Sequence, residues 1–133
     1  NVSTNEVGEI INQTRGIEFA NVYGVEIPGT EGRAGMAAVV LDKGLVETDI
    51  ALSRLLANVN ENLPVYARPV FIRILKDLPT TSTHKMQKNK LKSEAFNVSE
   101  ISETVFVKKP NQNEYSRLDY DFYSMIMEGK AGF

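Results

Sequence analysis

Val22-Tyr-Gly-Val-Glu-Ile-Pro-Gly-Thr-Glu-Gly-Arg-Ala-Gly-Met-Ala-Ala-Val-Val-Leu41 splits into two extended runs around a breaker. Val22, Tyr23, Val25 and Ile27 form the first, Pro28 to Gly32 holds the turn residues, and Met36 to Leu41 is continuously apolar. That pattern predicts a β-hairpin whose second strand is buried. Upstream, Ser3-Thr-Asn-Glu6 fits a capping box, and Val7, Ile10 and Ile11 share one face, so a helix is expected from about Thr4 to Gln13. Downstream, Leu52, Leu55, Leu56 and Val59 fall at the spacing of one helical stripe, which Asn60, Asn62 and Pro64 end. Val70 to Leu75 reads as a third strand interrupted by Arg73, and Lys88 to Phe96 as a short helix with Leu91 and Ala95 inward. A strand over Thr104 to Val107 follows. A last helix opens at Asp119, carries Phe122, Met125 and Ile126 as core, and stops at Gly129. The order α, β, β, α, β, α, β, α predicts an α/β (α+β) fold: a small mixed sheet that includes a β-hairpin and is flanked by helices.

The 133 residues, 42% of them hydrophobic, suit one domain. Such a chain buries roughly 65 to 70% of its unfolded surface, so it needs no metal or disulfide to hold together. No cysteine and a single histidine exclude a structural zinc site. No apolar run approaches the roughly 18 to 20 residues of a membrane span. The formal charge of -2 argues against a general nucleic-acid binder. The cations are nevertheless concentrated. Residues 68 to 92 hold Arg68, Arg73, Lys76, Lys85, Lys88, Lys90 and Lys92 against Asp77 alone, which leaves eight cations and sixteen acids for the rest of the chain.

Within that stretch, Thr81-Ser-Thr-His-Lys85 sets a lysine after hydroxyl residues and before the basic helix. The hydroxyls can shape a loop through local side-chain to backbone hydrogen bonds. A lysine held there is a compact cation suited to a phosphate or carboxylate, although a short Thr/Lys pattern alone describes many surface lysines. Lys88, Lys90 and Lys92 read as a solvated face, and Arg68 and Arg73 as structural cations covering a sheet edge or pairing with acids. Gly32 and Gly35 are explained first by turn geometry and close backbone approach.

Three segments together, Val22 to Leu41, Leu63-Pro-Val-Tyr-Ala-Arg-Pro-Val-Phe-Ile-Arg-Ile74 and Thr81 to Lys85, resemble one family. The resemblance is to the C-terminal subdomain of acyl-CoA synthetases of the fatty-acid-transport-protein and very-long-chain type, within the adenylate-forming superfamily. It implies a two-step ligase: a carboxylate and ATP give an acyl-adenylate and pyrophosphate, then coenzyme A displaces AMP. It also implies a subdomain that rotates between the steps, with Lys85 as the adenylation lysine. Arg33 and Gly35, in the hairpin, would face coenzyme A or the neighbouring domain. His84 stands where the superfamily usually has Gly, a departure that agrees with the transport-protein branch. ATP with Mg2+ and the fatty acid would be held by an N-terminal domain outside this segment, which would leave the isolated segment inactive.

The chain opens without Met and almost on a helix cap, as a piece of a longer protein would, so residues 1–133 are expected to form a single C-terminal subdomain. Asn1-Val-Ser-Thr4 matches the end of the superfamily's hinge-and-loop motif. The expected location is cytoplasmic, with any membrane association made outside this segment. Two alternatives stay open: a ligase for bile acids or other bulky carboxylates, and a non-enzymatic α/β binding module whose basic stretch recruits an acidic partner.

Overall fold

The computed structural model describes residues 3–42, 47–78 and 84–133, and of His84, Lys85 and Met86 the backbone alone. Helix α1 (Thr4–Asn12) starts where Ser3 Oγ accepts the Glu6 amide at 3.2 Å, and it buries Val7 and Ile11. Strands β1 (Ile17–Glu26) and β2 (Arg33–Leu41) pair antiparallel, with Tyr23 opposite Met36 and Gly24 opposite Gly35. Helix α2 (Thr48–Asn62) then crosses over so that β3 (Phe71–Leu75) can lie parallel to β2. A parallel neighbour requires such a long connection, because no tight turn can reverse the chain twice. Helix α3 (His84–Glu94) follows, then β4 (Val105–Val107), β5 (Ser116–Arg117) and α4 (Tyr120–Met127). The five strands form one mixed sheet in sequence order.

The sheet is covered on both faces, which is why Met36 to Val40 read as unbroken apolar sequence. Met36, Ala38 and Val40 pack with Phe71, Leu75, Leu91, Phe96 and Ile126 under α3 and α4. Ala37 and Val39 pack with Val7, Ile11, Leu52, Leu55, Val59 and Ile72 under α1 and α2. Each large aliphatic side chain removed from water contributes roughly 1.5 to 3 kcal/mol, so the α2 stripe of Leu52, Leu55, Leu56 and Val59 anchors its layer. Asn58 ties the two helices of that layer by donating to the Ile10 carbonyl at 2.7 Å and to Thr14 Oγ1 at 3.0 Å.

The expected mixed sheet with its hairpin and flanking helices is present; several local expectations are not. α3 begins at His84 and ends at Glu94, so Lys85 is a helical residue and not the last residue of a loop. Ala95, expected on the inner face of that helix, lies beyond its end at φ 45°. Met125 is 41% exposed beside a buried Ile126, because α4 touches the sheet along a narrower stripe than its apolar content suggests. Arg73 lies in a strand paired on both sides, so it covers no edge. The two-residue β5 was not anticipated. Thr81, Ser82 and Thr83, read as shaping the approach to Lys85, fall outside the described residues, as does the Asn1-Val2 match.

Candidate functional site

The hairpin turn, the end of α3 and α4 enclose the principal groove, about 720 Å³, with Thr30, Arg33, Ser93, Asn97, Tyr123 and Met127 on its walls. Gly32 permits the turn, since its φ of 77° is a region other residues adopt at a cost. Arg33 follows it, exposed, at the start of β2. Its stem lies over Gly24, diagonally across the strand pair, where an added Cβ would lie 3.1 Å from Arg33 Cδ. Gly24 therefore makes the shelf on which the arginine rests. A second hollow of about 500 Å³ shares Arg33 and Ser93 and adds Asn89 and Lys92 from α3. Arg33 and Lys92 give this hollow two cations, set against Glu26, the cross-strand partner of Arg33.

Gly35 does different work. A Cβ there would stand 3.3 Å from Pro69 Cα, and its carbonyl accepts the Val70 amide at 2.9 Å. Its partner is the backbone entering β3, so it brings two strands together at the base of the hairpin.

Lys85 occupies the first turn of α3, at the other end of the helix from the groove. Nine residues separate it from Glu94, about 14 Å along a helix axis. The structure thus sets the backbone of Lys85 and that of Arg33 toward opposite ends of one helix.

The basic stretch is not one patch either. Arg68 is turned inward, donating from Nε to the Leu63 carbonyl and from Nη2 to the Asn60 carbonyl, each at 2.9 Å. Arg73 is buried and donates from Nη1 to Glu94 Oε1 at 2.9 Å and from Nε to Glu103 Oε1 at 2.8 Å. Burial works against its charge, but the hydrogen bonds it donates to Glu94 and Glu103 prevail and hold its pKa above the ordinary arginine value. Two of the seven cations are therefore spent inside the fold. The pairing of Arg73 with acids was expected; the identity of those acids was not, because they lie 21 and 30 residues away. Glu94 carried one available signal, as an acid in the last turn of a helix opposes the helix dipole and asks for an external cation.

Tyr23 lies under α3 with its hydroxyl buried and without a hydrogen-bond partner. Burial pushes its pKa well above the ordinary tyrosine range. Among the described residues, no group of three or more His, Asp or Glu side chains is placed to hold a metal ion, and no helix is long and apolar enough to cross a membrane.

Residues 6–85 match the family described as AMP-binding enzyme C-terminal domain. The chain belongs to that family, the C-terminal domain of adenylate-forming enzymes. It is 41% identical over 97% of its length to the human long-chain fatty acid transport protein 3, of which it covers 18%. Among solved structures, a benzoate CoA ligase from Burkholderia xenovorans aligns with a TM-score of 0.57 and 33% identity, over 68% of this chain and 18% of that one. The anthranilate CoA ligase AuaEII in complex with anthranoyl-AMP shares the fold with a TM-score of 0.62 at 24% identity, over 75% of this chain and 19% of that one. The chain thus spans about a fifth of the length of the curated relatives it matches.

Proposed function

We propose that this chain is the mobile C-terminal subdomain of an ATP-dependent fatty acyl-CoA ligase, presenting Lys85 for adenylation and the Arg33 groove for thioester formation. The observation that carries this reading is the placement of the two cationic positions at opposite ends of α3, in a domain of a family whose members form adenylates. A single rigid body can then offer one end in the first step and the other in the second.

In adenylation, a carboxylate oxygen attacks the α-phosphorus of ATP and the bond to pyrophosphate breaks. Like charges approach each other while negative charge moves onto the leaving group. The Lys85 ammonium, fixed beside that centre, stabilises both changes. In the second step the sulfur of coenzyme A attacks the acyl carbon and AMP departs. Arg33, with Lys92 nearby, would hold the phosphates of coenzyme A, and Gly35 keeps the hairpin that carries Arg33 against the sheet. ATP, Mg2+ and the acyl chain would be held by the remainder of a longer protein, so the isolated chain would not turn over. The choice between a fatty acid and a bulkier acid would lie there too, as would any membrane contact of an otherwise cytoplasmic enzyme.

The test is a half-reaction split in the full-length protein. Lys85→Ala is expected to slow pyrophosphate release by about 10² to 10³, the cost of one preorganised electrostatic contact, and to leave thioester formation from supplied acyl-adenylate nearly unchanged. Arg33→Ala is expected to raise the KM for coenzyme A and spare adenylation. Equal loss of both half-reactions in both variants would overturn the assignment.

A further inference from the structure

We propose that Arg73 and Glu94 form a positioning clamp for α3 that sets where Lys85 is delivered; the inference rests on the role of Lys85 proposed above. Among the described side chains of α3 Leu91 is the one that is buried, while Lys90 and Lys92 face solvent. Its far end, by contrast, is tightly held. Arg73 projects from the centre of the sheet, next to the small Ala38, and bonds the last helical residue. One residue on, Ala95 turns the chain out of the helix at φ 45°, and Phe96 then stacks on Phe71 with ring centroids 4.4 Å apart.

Gln87 Oε1 on the helix and Asn21 Nδ2 and the Tyr23 hydroxyl on β1 are buried without hydrogen-bond partners, the Tyr23 hydroxyl within the field of Arg73, Glu94 and Glu103. A helix held at its last residue carries its first turn on a lever arm. A tilt of a few degrees at Glu94 moves the backbone of Lys85 by about 1 Å, given roughly 1.5 Å of rise per residue. A displacement of that size at a catalytic group can cost about 10²-fold in rate.

Glu103 supplies the control. It bonds the same guanidinium, is similarly shielded, and sits in the segment before β4, not on α3. Removing either carboxylate's charge leaves Arg73 one acid; Glu103 accepts two of the guanidinium's bonds and Glu94 one, so a loss larger in the Glu94 variant reports the release of α3 and not the disturbance of the buried charge.

The experiment compares Glu94→Gln with Glu103→Gln in the full-length protein. The clamp predicts that Glu94→Gln slows adenylation by about 10- to 100-fold, with thioester formation from supplied acyl-adenylate, measured at saturating coenzyme A because Glu94 also lines the Arg33 groove, within about threefold of wild type. Glu103→Gln should stay within about threefold in both steps. In a Lys85→Ala background, Glu94→Gln should cause no further loss, since a misplaced side chain already absent cannot be misplaced. Should Glu94→Gln not fold, Glu94→Asp, which keeps the charge on a shorter stem, is read in the same way. Equal effects of the two glutamate variants, loss confined to the coenzyme A step, or additivity with Lys85→Ala would each overturn the clamp. If Lys85→Ala itself leaves adenylation intact, the reading beneath it falls first, and the two failures are thereby told apart.

Discussion

Gly35 shows at the scale of one residue what a sequence reveals and what it withholds. The glycine within an otherwise apolar strand marks a constrained position, and close backbone approach is the ordinary cause. What it approaches, the Arg68-Pro69 backbone, is 34 residues away in the chain and could not be read. The geometry predicts the cost of filling the space. An alanine Cβ would sit 3.3 Å from Pro69 Cα, which is backbone and cannot swing aside. Overpacking of this kind costs about 1 to 3 kcal/mol, partly offset by about 0.4 to 1 kcal/mol from the stiffer unfolded chain. Gly35→Ala is therefore expected to destabilise the 133-residue chain by about 1 kcal/mol, lowering the melting temperature by about 3 to 5 °C. An unchanged melting temperature would show that β2 and the Pro69 segment can separate without loss.

Among the elements, α3 departs most from its sequence reading. Apolar periodicity locates Leu91 but offers little before it, so the expected start fell at Lys88. Lys, Met and Gln are good helix formers, and propensity carries the helix back to His84 without an apolar stripe. Its end departs from expectation for the opposite reason: Ala95 is the best helix former of all and yet stands outside, because Arg73 holds Glu94 and Phe96 must reach Phe71. The same facts make Ala95 an informative substitution. At φ 45° an alanine is strained where glycine is not, whereas glycine inside a helix costs about 1 kcal/mol relative to alanine. Ala95→Gly is thus expected to be neutral or to stabilise by up to about 0.5 kcal/mol in urea unfolding, after allowing for greater freedom of the unfolded chain. Ala95→Val is expected to cost more than 1 kcal/mol, since a β-branched side chain tolerates that conformation poorly. A loss of about 1 kcal/mol in the glycine variant would mean that the residue behaves as helix interior.

The whole molecule was legible in its layering, because an apolar run with no alternation, following an extended segment and a turn, reads as a strand covered on both faces. The parallel pairing of β2 with β3 was not legible, as register between strands separated by a helix depends on packing that no local pattern encodes; β5, at two residues, is too short to leave a pattern. The same two-sided burial gives the fold a pH limit. Tyr23 and Tyr115 both have hydroxyls taken from water, and burial raises both pKa values. Below about pH 10 the phenols are protonated in both states and contribute no pH dependence. Above it the unfolded chain ionises while the folded chain resists, so the unfolded state binds fewer protons and stability falls as pH rises. Each buried phenol adds up to about 1.4 kcal/mol of loss per pH unit in that range. Thermal unfolding followed from pH 7 to 11 should therefore show a steep alkaline limb, which either Tyr23→Phe or Tyr115→Phe makes shallower. At neutral pH the two variants should part. The Tyr115 hydroxyl donates to the Pro69 carbonyl at 2.6 Å, and losing that bond should cost about 1 kcal/mol. The unpartnered Tyr23 hydroxyl gives nothing up, so Tyr23→Phe should match or exceed wild-type stability. A Tyr23→Phe variant that is destabilised at pH 7 would reveal a bond to that hydroxyl, and an alkaline limb unchanged in both variants would assign the pH limit to other groups.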